Sequence, residues 1–305
     1  MYTEARVSAP IYKLTEFASN ELFIMRDDLL PYSFGGNKVR KALLFFQEIE
    51  AGNYDTVVTY GSSSSNHCRI IANMAAAKGR RCHIISTEGA SESLNRKMVE
   101  IFHADITLCD TTNVAQTIES VMSECSAKGE RAYFIQGGGH GNVGTRAYDL
   151  AFDEVNAFEH EHNLSFDYIF HASGTGTTQA GLICGKLRCN SPTKIVGISI
   201  ARQKTRGARI VSDSVKSYCG VDAGDELIFI DDYICGGYGQ CNAAIDETIE
   251  RVFTQFGVPL DPIYTGKAFW GMEQYVKKYQ VSQKKILFIH TGGTPIFCDW
   301  MRKRI

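Results

Sequence analysis

Short apolar runs alternate with longer helix-like segments along the chain, and this alternation limits what its 305 residues can fold into. The longer segments carry apolar residues three and four positions apart, which predicts helices. The short runs are rich in β-branched residues and end in turn residues, which predicts strands at 56–60, 82–85, 105–108, 133–135, 168–171, 195–200 and 286–290. Strands without a polar face that alternate with helices are typical of parallel sheets covered on both sides, so we predict an α/β fold.

A glycine-dense turn at 137–142 lies near the middle of the chain. Because the predicted strands are more than one compact sheet usually needs, we predict two lobes with a hinge at this turn. In open α/β sheets, ligands bind beyond the carboxyl ends of the strands. The residues that directly follow each predicted strand are therefore the first candidates for a functional site.

The charge balance argues against several classes of partner. The chain has 32 Lys and Arg against 34 Asp and Glu, and no basic stripe that would suit nucleic acid or an anionic membrane. No apolar run approaches the roughly 18 residues of a membrane span. Residues 1–6 lack the apolar core of a signal peptide. We expect a cytoplasmic protein without nucleic-acid or membrane partners.

The ten cysteines are spread along the chain without a CxxC pair. In such a chain most thiols are expected to be reduced and packed as small hydrophobic groups. Two histidines come close together only at 160–162, in a charged stretch typical of an exposed helix end. We therefore expect no metal site.

The segment 173–181, Ser-Gly-Thr-Gly-Thr-Thr-Gln-Ala-Gly, follows a predicted strand and opens a helix. Its small residues let the backbone approach an anion closely, and the helix N-terminus adds free N–H groups and the positive end of the helix dipole. The pattern favours a phosphate site over a plain turn with Ser and Thr caps. Because no Gly-Lys-Ser/Thr follows the glycines, it is not a Walker A loop.

Two further segments carry candidate groups. The segment 61–67 holds four serines and Asn66, which is more than one helix N-cap needs, and indicates either a capped helix or a cradle for a carboxylate or ring oxygen. The segment 33–41 places Lys38 directly after two glycines where a helix begins. The positive helix end disfavours the charged lysine and lowers its pKa, which suits Schiff-base chemistry. The alternative is a solvated lysine in a first helical turn.

The segment 139–144 formally matches the GxGxxG pattern of dinucleotide-binding loops. That function also requires an acidic residue at the end of the next strand, which holds the ribose. The next predicted strand ends in His171, Ala172 and Ser173, which supply none. An NAD-dependent oxidoreductase therefore stays a remote alternative.

Six motifs stand in order along the chain at 35–41, 65–67, 173–178, 237–239, 261–267 and 290–293. Together they resemble the D-cysteine desulfhydrase and 1-aminocyclopropane-1-carboxylate deaminase family from about Met25 to the C-terminus. The resemblance implies pyridoxal 5'-phosphate as cofactor and a two-lobed fold of type II, like the tryptophan synthase β subunit, with a mostly parallel, helix-flanked sheet in each lobe. It implies a large cofactor-binding domain at 1–41 and 149–305, a small domain at 42–148 inserted in it, and a homodimer.

The resemblance also implies cofactor contacts. Lys38 is implied to hold the cofactor as a Schiff base and to move the proton at Cα. Asn66 is implied to bond to the 3'-oxygen of the ring, and Tyr264 to stack on it. Lys41 and the 173–178 loop are implied to bind the phosphate. The implied cofactor residues are Lys38, Lys41, Asn66, Ser173, Gly174, Thr175, Gly176, Thr177, Thr178, Tyr264, Thr265 and Thr291.

The substrate is implied to be an amino acid, that is, a small-molecule partner. Ser65 and His67 would line its carboxylate site, Tyr238 would face its side chain, and His140 would stand in a nearby loop. The implied substrate residues are Ser65, Asn66, His67, His140 and Tyr238, and the implied catalytic residues are Lys38, Ser65, Tyr238 and Tyr264.

Position 265 separates the two activities of the family. The deaminases have Glu after the tyrosine, and its carboxylate keeps the pyridine nitrogen protonated, whereas this chain has Thr265 after Tyr264. A hydroxyl holds a positive nitrogen less firmly than a carboxylate, so the electron sink is expected to be weaker. This favours α,β-elimination on a D-amino acid with a good β leaving group. The alternatives are ring-opening deamination, β-replacement and racemisation.

Overall fold

Two sheets form the framework of the computed structural model, which describes residues 7–87 and 93–304. Each strand predicted from the sequence is present, and three more, β1, β2 and β9, were not predicted. The strands are β1 (Ile11–Phe17), β2 (Asn20–Arg26), β3 (Thr56–Gly61), β4 (Arg81–Thr87), β5 (Asp105–Cys109), β6 (Ala132–Ile135), β7 (Tyr168–Ser173), β8 (Lys194–Ser199), β9 (Ile228–Ile230) and β10 (Lys285–His290).

The larger sheet has the order β1-β2-β10-β7-β8-β9, and the smaller sheet has the order β5-β4-β3-β6. Strand β1 pairs antiparallel with β2, and the other neighbouring pairs are parallel. Strand β10 is a continuous apolar run because both of its faces are buried. Its residues Ile286, Leu287, Phe288 and Ile289 are each at most 1% exposed. The predicted α/β fold with two mostly parallel sheets is confirmed.

Helices connect the strands and pack against the sheets. They are α1 (Asn37–Ala51), α2 (Asn66–Ala77), α3 (Leu94–Ile101), α4 (Val114–Ala127), α5 (Asn142–Glu161), α6 (Thr177–Arg188), α7 (Lys204–Cys219), α8 (Ala243–Phe256), α9 (Thr265–Lys278) and α10 (Thr294–Arg302). Because α2, α6 and α10 begin directly after β3, β7 and β10, their N-termini lie at the carboxyl edges of the sheets. In residues 7–87 and 93–304, no helix has both the length and the apolar character of a membrane span.

Two glycines bring α6 unusually close to α5. A Cβ at Gly181 would lie 2.2 Å from the carbonyl oxygen of Thr145, and one at Gly185 would lie 2.4 Å from Cβ of Phe152. Real side chains do not reach such distances, so only glycine permits this packing. The close contact fixes α6, and with it the 173–178 loop at its N-terminus.

The expected domain boundaries, 41/42 and 148/149, fall inside α1 and α5. The smaller sheet lies between these two helices in the sequence, and the larger sheet lies outside them. The glycine-dense turn 137–142 connects β6 of the smaller sheet to α5. Residues 1–6, which belong to the expected large domain, and residues 88–92, which belong to the expected small domain, lie outside the described residues.

Most of the cysteines are unpaired, as expected. Cys68, Cys82, Cys109 and Cys125 are free and buried. Cys184 in α6 and the last residue of α7, Cys219, form a disulfide that joins these two helices.

Candidate active site

A cavity of about 410 Å³ lies between the two sheets, at the carboxyl ends of their strands. Residues that follow β3, β6, β7, β8 and β10 all line it, which is the location expected for ligand sites of open α/β sheets. Its lining consists of Asn37, Lys38, Tyr60, Gly61, Ser62, Ser65, Asn66, His67, Gly137, Gly138, Ala172, Ser173, Gly174, Thr175, Gly176, Thr178, Ile200, Ala201, Arg202, Tyr238, Tyr264, Thr291 and Gly292. No carboxylate is among these lining residues.

Lys38 enters the cavity from the first turn of α1. Gly36 precedes this helix with φ +106°, and a Cβ there would lie 2.9 Å from the carbonyl oxygen of Thr291, so glycine is required for the close approach. The Nζ of Lys38 donates to the carbonyl oxygen of Gly138 at 3.0 Å. Burial lowers the pKa of Lys38 to about 8. The predicted lowering is therefore present, and burial is its cause.

Lys41 lies one helical turn further on and is 1% exposed. Its Nζ donates to Oγ1 of Thr177 in the first turn of α6, and no described carboxylate forms an ion pair with it. Burial, and then the charge of Lys38, hold the pKa of Lys41 well below its usual value. Two neighbouring lysines without an acid are unfavourable until an anion binds, so their arrangement fits a phosphate group.

The 173–178 loop completes this anion site. Gly176 is the N-cap of α6 and has φ +93°, a left-handed conformation that favours glycine. The first N–H groups of α6 have no partner within the helix and add its positive end. Nδ2 of Asn37 donates to Oγ1 of Thr178 at 3.2 Å, which joins the Lys38 helix to the loop. The predicted phosphate residues therefore lie together on two helix N-termini.

Asn66 is held by two donors on the side away from the cavity. Its Oδ1 accepts from Nη2 of Arg69 at 3.3 Å and from Nδ2 of Asn95 at 3.0 Å. Both donors fix the amide orientation, because the oxygen must face them. Nδ2 of Asn66 therefore remains as the donor for a ligand in the cavity, as a ring oxygen would require.

Ser65 and His67 begin helix α2. Oγ of Ser65 caps the helix by accepting from the backbone N–H of Cys68 at 3.2 Å. The backbone N–H groups of Asn66 and His67 have no acceptor among the described residues, so they suit a carboxylate. This helix end therefore supplies donors from its backbone where the sequence analysis invoked side chains.

His67 lines the cavity, and its imidazole keeps one ring nitrogen as an unused acceptor. Oγ1 of Thr59 donates to the carbonyl oxygen of Ile135 at 2.7 Å, so it accepts from Nε2–H of His67 at 2.9 Å. Nδ1 of His67 is buried without a partner in the described residues. Burial, and then the charges of Lys38 and Lys41, hold the pKa of His67 well below its usual value, so the ring is neutral. A neutral ring in this tautomer cannot donate from Nδ1 to a substrate carboxylate.

Tyr238 and Tyr264 form a hydrogen-bonded pair in the cavity lining. Their hydroxyl oxygens are 2.8 Å apart, and Tyr238 is 47% exposed while Tyr264 is more deeply placed. Burial, and then Tyr238, raise the pKa of the Tyr264 hydroxyl well above its usual value. The pair therefore offers one shared proton donor toward the cavity.

Thr265 is bonded within its own turn and lies behind the cavity wall. Thr265 is fully buried and does not line the cavity. Its Oγ1 accepts from the backbone N–H of Asp261 at 2.8 Å and donates to Oδ2 of Asp261 at 2.8 Å. The hydroxyl is thus used within the turn that starts α9, and the expected contact of Thr265 to a pyridine nitrogen stays a prediction that these bonds disfavour.

Thr291 presents a hydroxyl in the cavity instead. It directly follows β10 and is 8% exposed, and no hydrogen bond of its hydroxyl occurs in the described residues. Its position is fixed by His290, whose Nδ1 accepts from the backbone N–H of Gly292 at 3.3 Å and whose Nε2 faces the carbonyl oxygen of Pro259 at 2.9 Å.

The remaining predicted residues divide into two groups. Lys41 and Thr177 lie just behind the cavity wall, while His140 lies in the turn 137–142 and does not line the cavity. Four further polar or charged lining residues were given no role of their own from the sequence, although Asn37 and Ser62 lie in the candidate segments 33–41 and 61–67; they are Asn37, Tyr60, Ser62 and Arg202. Ser62 follows β3 and Arg202 follows β8, at the strand ends where ligand sites are expected, and Tyr60 is the last residue but one of β3.

The fold and this site define a pyridoxal-phosphate-dependent enzyme of fold type II. The chain belongs to the family described as "Pyridoxal-phosphate dependent enzyme", whose model matches residues 3–292. It is 31% identical over 296 residues to a D-cysteine desulfhydrase of Yersinia pestis (strain Pestoides F), covering 93% of this chain and 89% of that one. It is 30% identical over 296 residues to a D-cysteine desulfhydrase of Salmonella newport (strain SL254), covering 93% and 90%.

Solved structures agree with this family. An "ACC deaminase homologue" superposes with a TM-score of 0.87 at 28% identity, covering 98% of this chain and 94% of that chain. The processed form of threonine deaminase isoform 2 from Solanum lycopersicum shares the fold, with a TM-score of 0.65 at 17% identity, covering 96% and 81%. The predicted family, fold type, cofactor and PLP-dependent lyase class are confirmed, and the dinucleotide-dependent alternative is set aside.

Proposed function

We propose that the chain is a D-cysteine desulfhydrase-like lyase, which eliminates a β leaving group from a D-amino acid and releases a 2-oxo acid and ammonia. With D-cysteine the leaving group is sulfide. The observation that carries the proposal is a cavity with a lysine of lowered pKa and no carboxylate in its lining. The curated relatives named D-cysteine desulfhydrase support the choice of substrate.

The cofactor would be held at both ends by residues of the chain. Lys41 and the 173–178 loop would bind its phosphate, Nδ2 of Asn66 would donate to its ring oxygen, and Tyr264 would cover one face of its ring. Lys38 would carry it. Bound pyridoxal phosphate withdraws electrons from Cα of an amino acid that is attached to it.

The chain's own residues would then orient the substrate and move its protons. The free backbone N–H groups of Asn66 and His67 would bind the carboxylate and place Cα beside Nζ of Lys38. With a pKa of about 8, roughly a tenth of the free Lys38 amine is unprotonated at pH 7 and can accept the Cα proton. The hydroxyl pair of Tyr238 and Tyr264 would donate toward the departing β group.

The lining of the cavity favours elimination over ring opening. A carboxylate beside the pyridine nitrogen would keep it protonated and give a strong electron sink. In this cavity the available group is the hydroxyl of Thr291, since Thr265 is bonded to Asp261. A weaker sink suffices when a thiolate leaves from Cβ, whereas breaking a carbon–carbon bond of a cyclopropane requires more stabilisation.

Product analysis with the purified holoenzyme tests the proposal. D-cysteine, L-cysteine and 1-aminocyclopropane-1-carboxylate are supplied in parallel, and 2-oxo acid, ammonia and sulfide are measured. We expect pyruvate, ammonia and sulfide from D-cysteine, and none of them from a Lys38→Ala variant. 2-Oxobutyrate from the cyclopropane substrate would contradict the argument from the cavity lining, and turnover by Lys38→Ala would contradict the role of the lysine.

The organisation of the protein is part of the same proposal. We propose that 1–41 with 149–305 and 42–148 act as two lobes around the cofactor, joined through α1, α5 and the turn 137–142. We also propose that the protein is a homodimer, which the family resemblance supports. We propose a cytoplasmic location, which the largely unpaired cysteines support. Light scattering on the purified protein tests the dimer, and a mass equal to that of one chain would exclude it.

A further inference from the structure

Lys267, in the first turn of α9, makes contacts that the proposed reaction does not use. It is 0% exposed. Its Nζ donates to the carbonyl oxygens of Ile200 at 2.9 Å, Ile234 at 2.9 Å and Gly237 at 3.0 Å. These bonds use all three hydrogens of the ammonium group. No carboxylate forms an ion pair with Lys267 in the described part of the chain, so backbone carbonyl dipoles surround its Nζ.

The three carbonyls belong to two segments that contribute residues to the cavity lining. One follows β8, where Ile200 lines the cavity, and two bracket the turn that leads directly into Tyr238. Gly237 has φ +131° in this turn, so its backbone takes a conformation that favours glycine. Lys267 itself lies one helical turn after Tyr264, whose hydroxyl meets that of Tyr238. One ammonium group therefore joins α9, the wall after β8 and the turn before Tyr238.

Carbonyl oxygens arranged around one positive charge are the surroundings in which large monovalent cations exchange their water shell for protein. We infer that Lys267 acts as a tethered monovalent cation, a positioning residue that holds the substrate-side wall of the cavity together and thereby places Tyr238. Most of the proposed cofactor contacts come from α1, α2 and α6, and Tyr264 is the one that lies on the same element as Lys267. Loss of Lys267 should therefore affect substrate binding more than cofactor binding.

A pair of variants separates this role from simple packing. Lys267→Ala removes the ammonium and leaves space for an ion, whereas Lys267→Met removes it and fills the space. In a buffer whose only cation is tetramethylammonium, we expect kcat/KM for D-cysteine to fall about tenfold or more in both variants, mainly through KM, because buried carbonyls lose their donors. About 100 mM KCl should restore activity of Lys267→Ala and leave Lys267→Met low. Lys277→Ala, exposed on the same helix, is the matched control and should resemble the wild type in both buffers.

A second readout does not depend on the proposed substrate. KCl should raise Tm of Lys267→Ala by about 2 °C or more relative to its effect on the wild type and on Lys267→Met. The cofactor dissociation constant should change by less than about threefold in each variant. If the wild type does not act on D-cysteine, the proposed function fails and this readout still decides the inference.

Two results would overturn the inference. The first is that Lys267→Ala has the kcat/KM and the Tm of the wild type in the buffer without potassium. The second is that Lys267→Ala and Lys267→Met respond identically to KCl. If Lys267→Ala does not fold in tetramethylammonium buffer, the test is whether folded protein is obtained when KCl is added. Folded protein obtained with KCl alone supports the inference, and no folded protein in either buffer contradicts it.

Discussion

Replacing Lys41 with Met removes a buried amino group that can carry a positive charge beside an anion, with little change in side-chain volume. Lys41 donates to Thr177 at the N-terminus of α6 and has no carboxylate partner in the described residues. If it binds the cofactor phosphate, the variant should lose affinity for pyridoxal phosphate. The same variant should bind pyridoxal, which has no phosphate, as the wild type does.

The magnitude follows from the position of the lysine. Lys41 is 1% exposed, so a charged hydrogen bond to phosphate is scarcely screened by water. A hydrogen bond to a charged group contributes about 1.5 to 3 kcal/mol. At about 1.4 kcal/mol per factor of ten, the dissociation constant for pyridoxal phosphate should rise by about 10- to 100-fold.

Titration of the apoprotein with each form of the cofactor, followed by absorbance or fluorescence, measures this effect. Lys128→Met, at an exposed position after α4, is the control for the loss of one positive charge. An unchanged affinity for pyridoxal phosphate would refute the reasoning. An equal loss for pyridoxal would also refute it, because the effect would then come from a damaged fold.

Three further predictions follow from the site and its support. The rate at which the apoprotein forms its covalent bond with pyridoxal phosphate should rise with pH to a midpoint near 8, because only the neutral amine of Lys38 attacks the aldehyde and burial lowers its pKa to about 8; borohydride trapping at a series of pH values measures it. Thr291→Ala should change the visible absorbance of the bound cofactor and lower kcat. Thr265→Ala should leave the absorbance unchanged. It should lower the free energy of unfolding by about 1 to 2 kcal/mol, because it removes two buried hydrogen bonds to Asp261. Gly181→Ala should lower the free energy of unfolding by about 1 to 3 kcal/mol, because its Cβ would lie 2.2 Å from the carbonyl oxygen of Thr145; urea denaturation measures both losses.

Each of these predictions has a contrary outcome. A midpoint near 10.5 would mean that the amine of Lys38 is not desolvated in the apoprotein. If the absorbance changes in Thr265→Ala and not in Thr291→Ala, then Thr265 and not Thr291 contacts the pyridine nitrogen of the cofactor. Unchanged stability of Gly181→Ala, compared with Ser123→Ala on the exposed face of α4, would show that α5 can move away from α6 at little cost.

Of the three strands that the sequence analysis misses, β1 and β9 have a weaker local pattern than the predicted strands, whereas β2 is a buried apolar run like β10. Strand β10 reads Lys-Ile-Leu-Phe-Ile-His and is buried on both faces, so its composition alone identifies it. Strand β1 carries Lys, Thr and Glu and is mostly exposed or half-buried, and β9 has three residues. Such segments become strands because a neighbouring strand accepts them at the edge of a sheet.

The same distinction holds in the site. Residues 173–178 were predicted as a phosphate loop because small residues at a helix start act locally, through backbone N–H groups that every helix leaves unpaired. The partner of a side chain depends on residues far away in the sequence. Nothing local indicates that Lys41 would meet Thr177, or that Lys267 would meet the carbonyl oxygen of Ile200.

The sequence by itself determined the α/β alternation, the strand ends at which the site lies and, through six ordered motifs, the family and its cofactor. Tertiary structure decided which hydroxyl lines the cavity. The hydroxyl of Thr265 is hydrogen-bonded to Asp261, whereas Thr291 lines the cavity. Tertiary structure also decided the tautomer of His67 and the cause of the lowered pKa of Lys38. The physical reason is that periodicity and helix ends are properties of neighbouring residues, whereas desolvation and the choice of hydrogen-bond partner arise only when distant segments pack together.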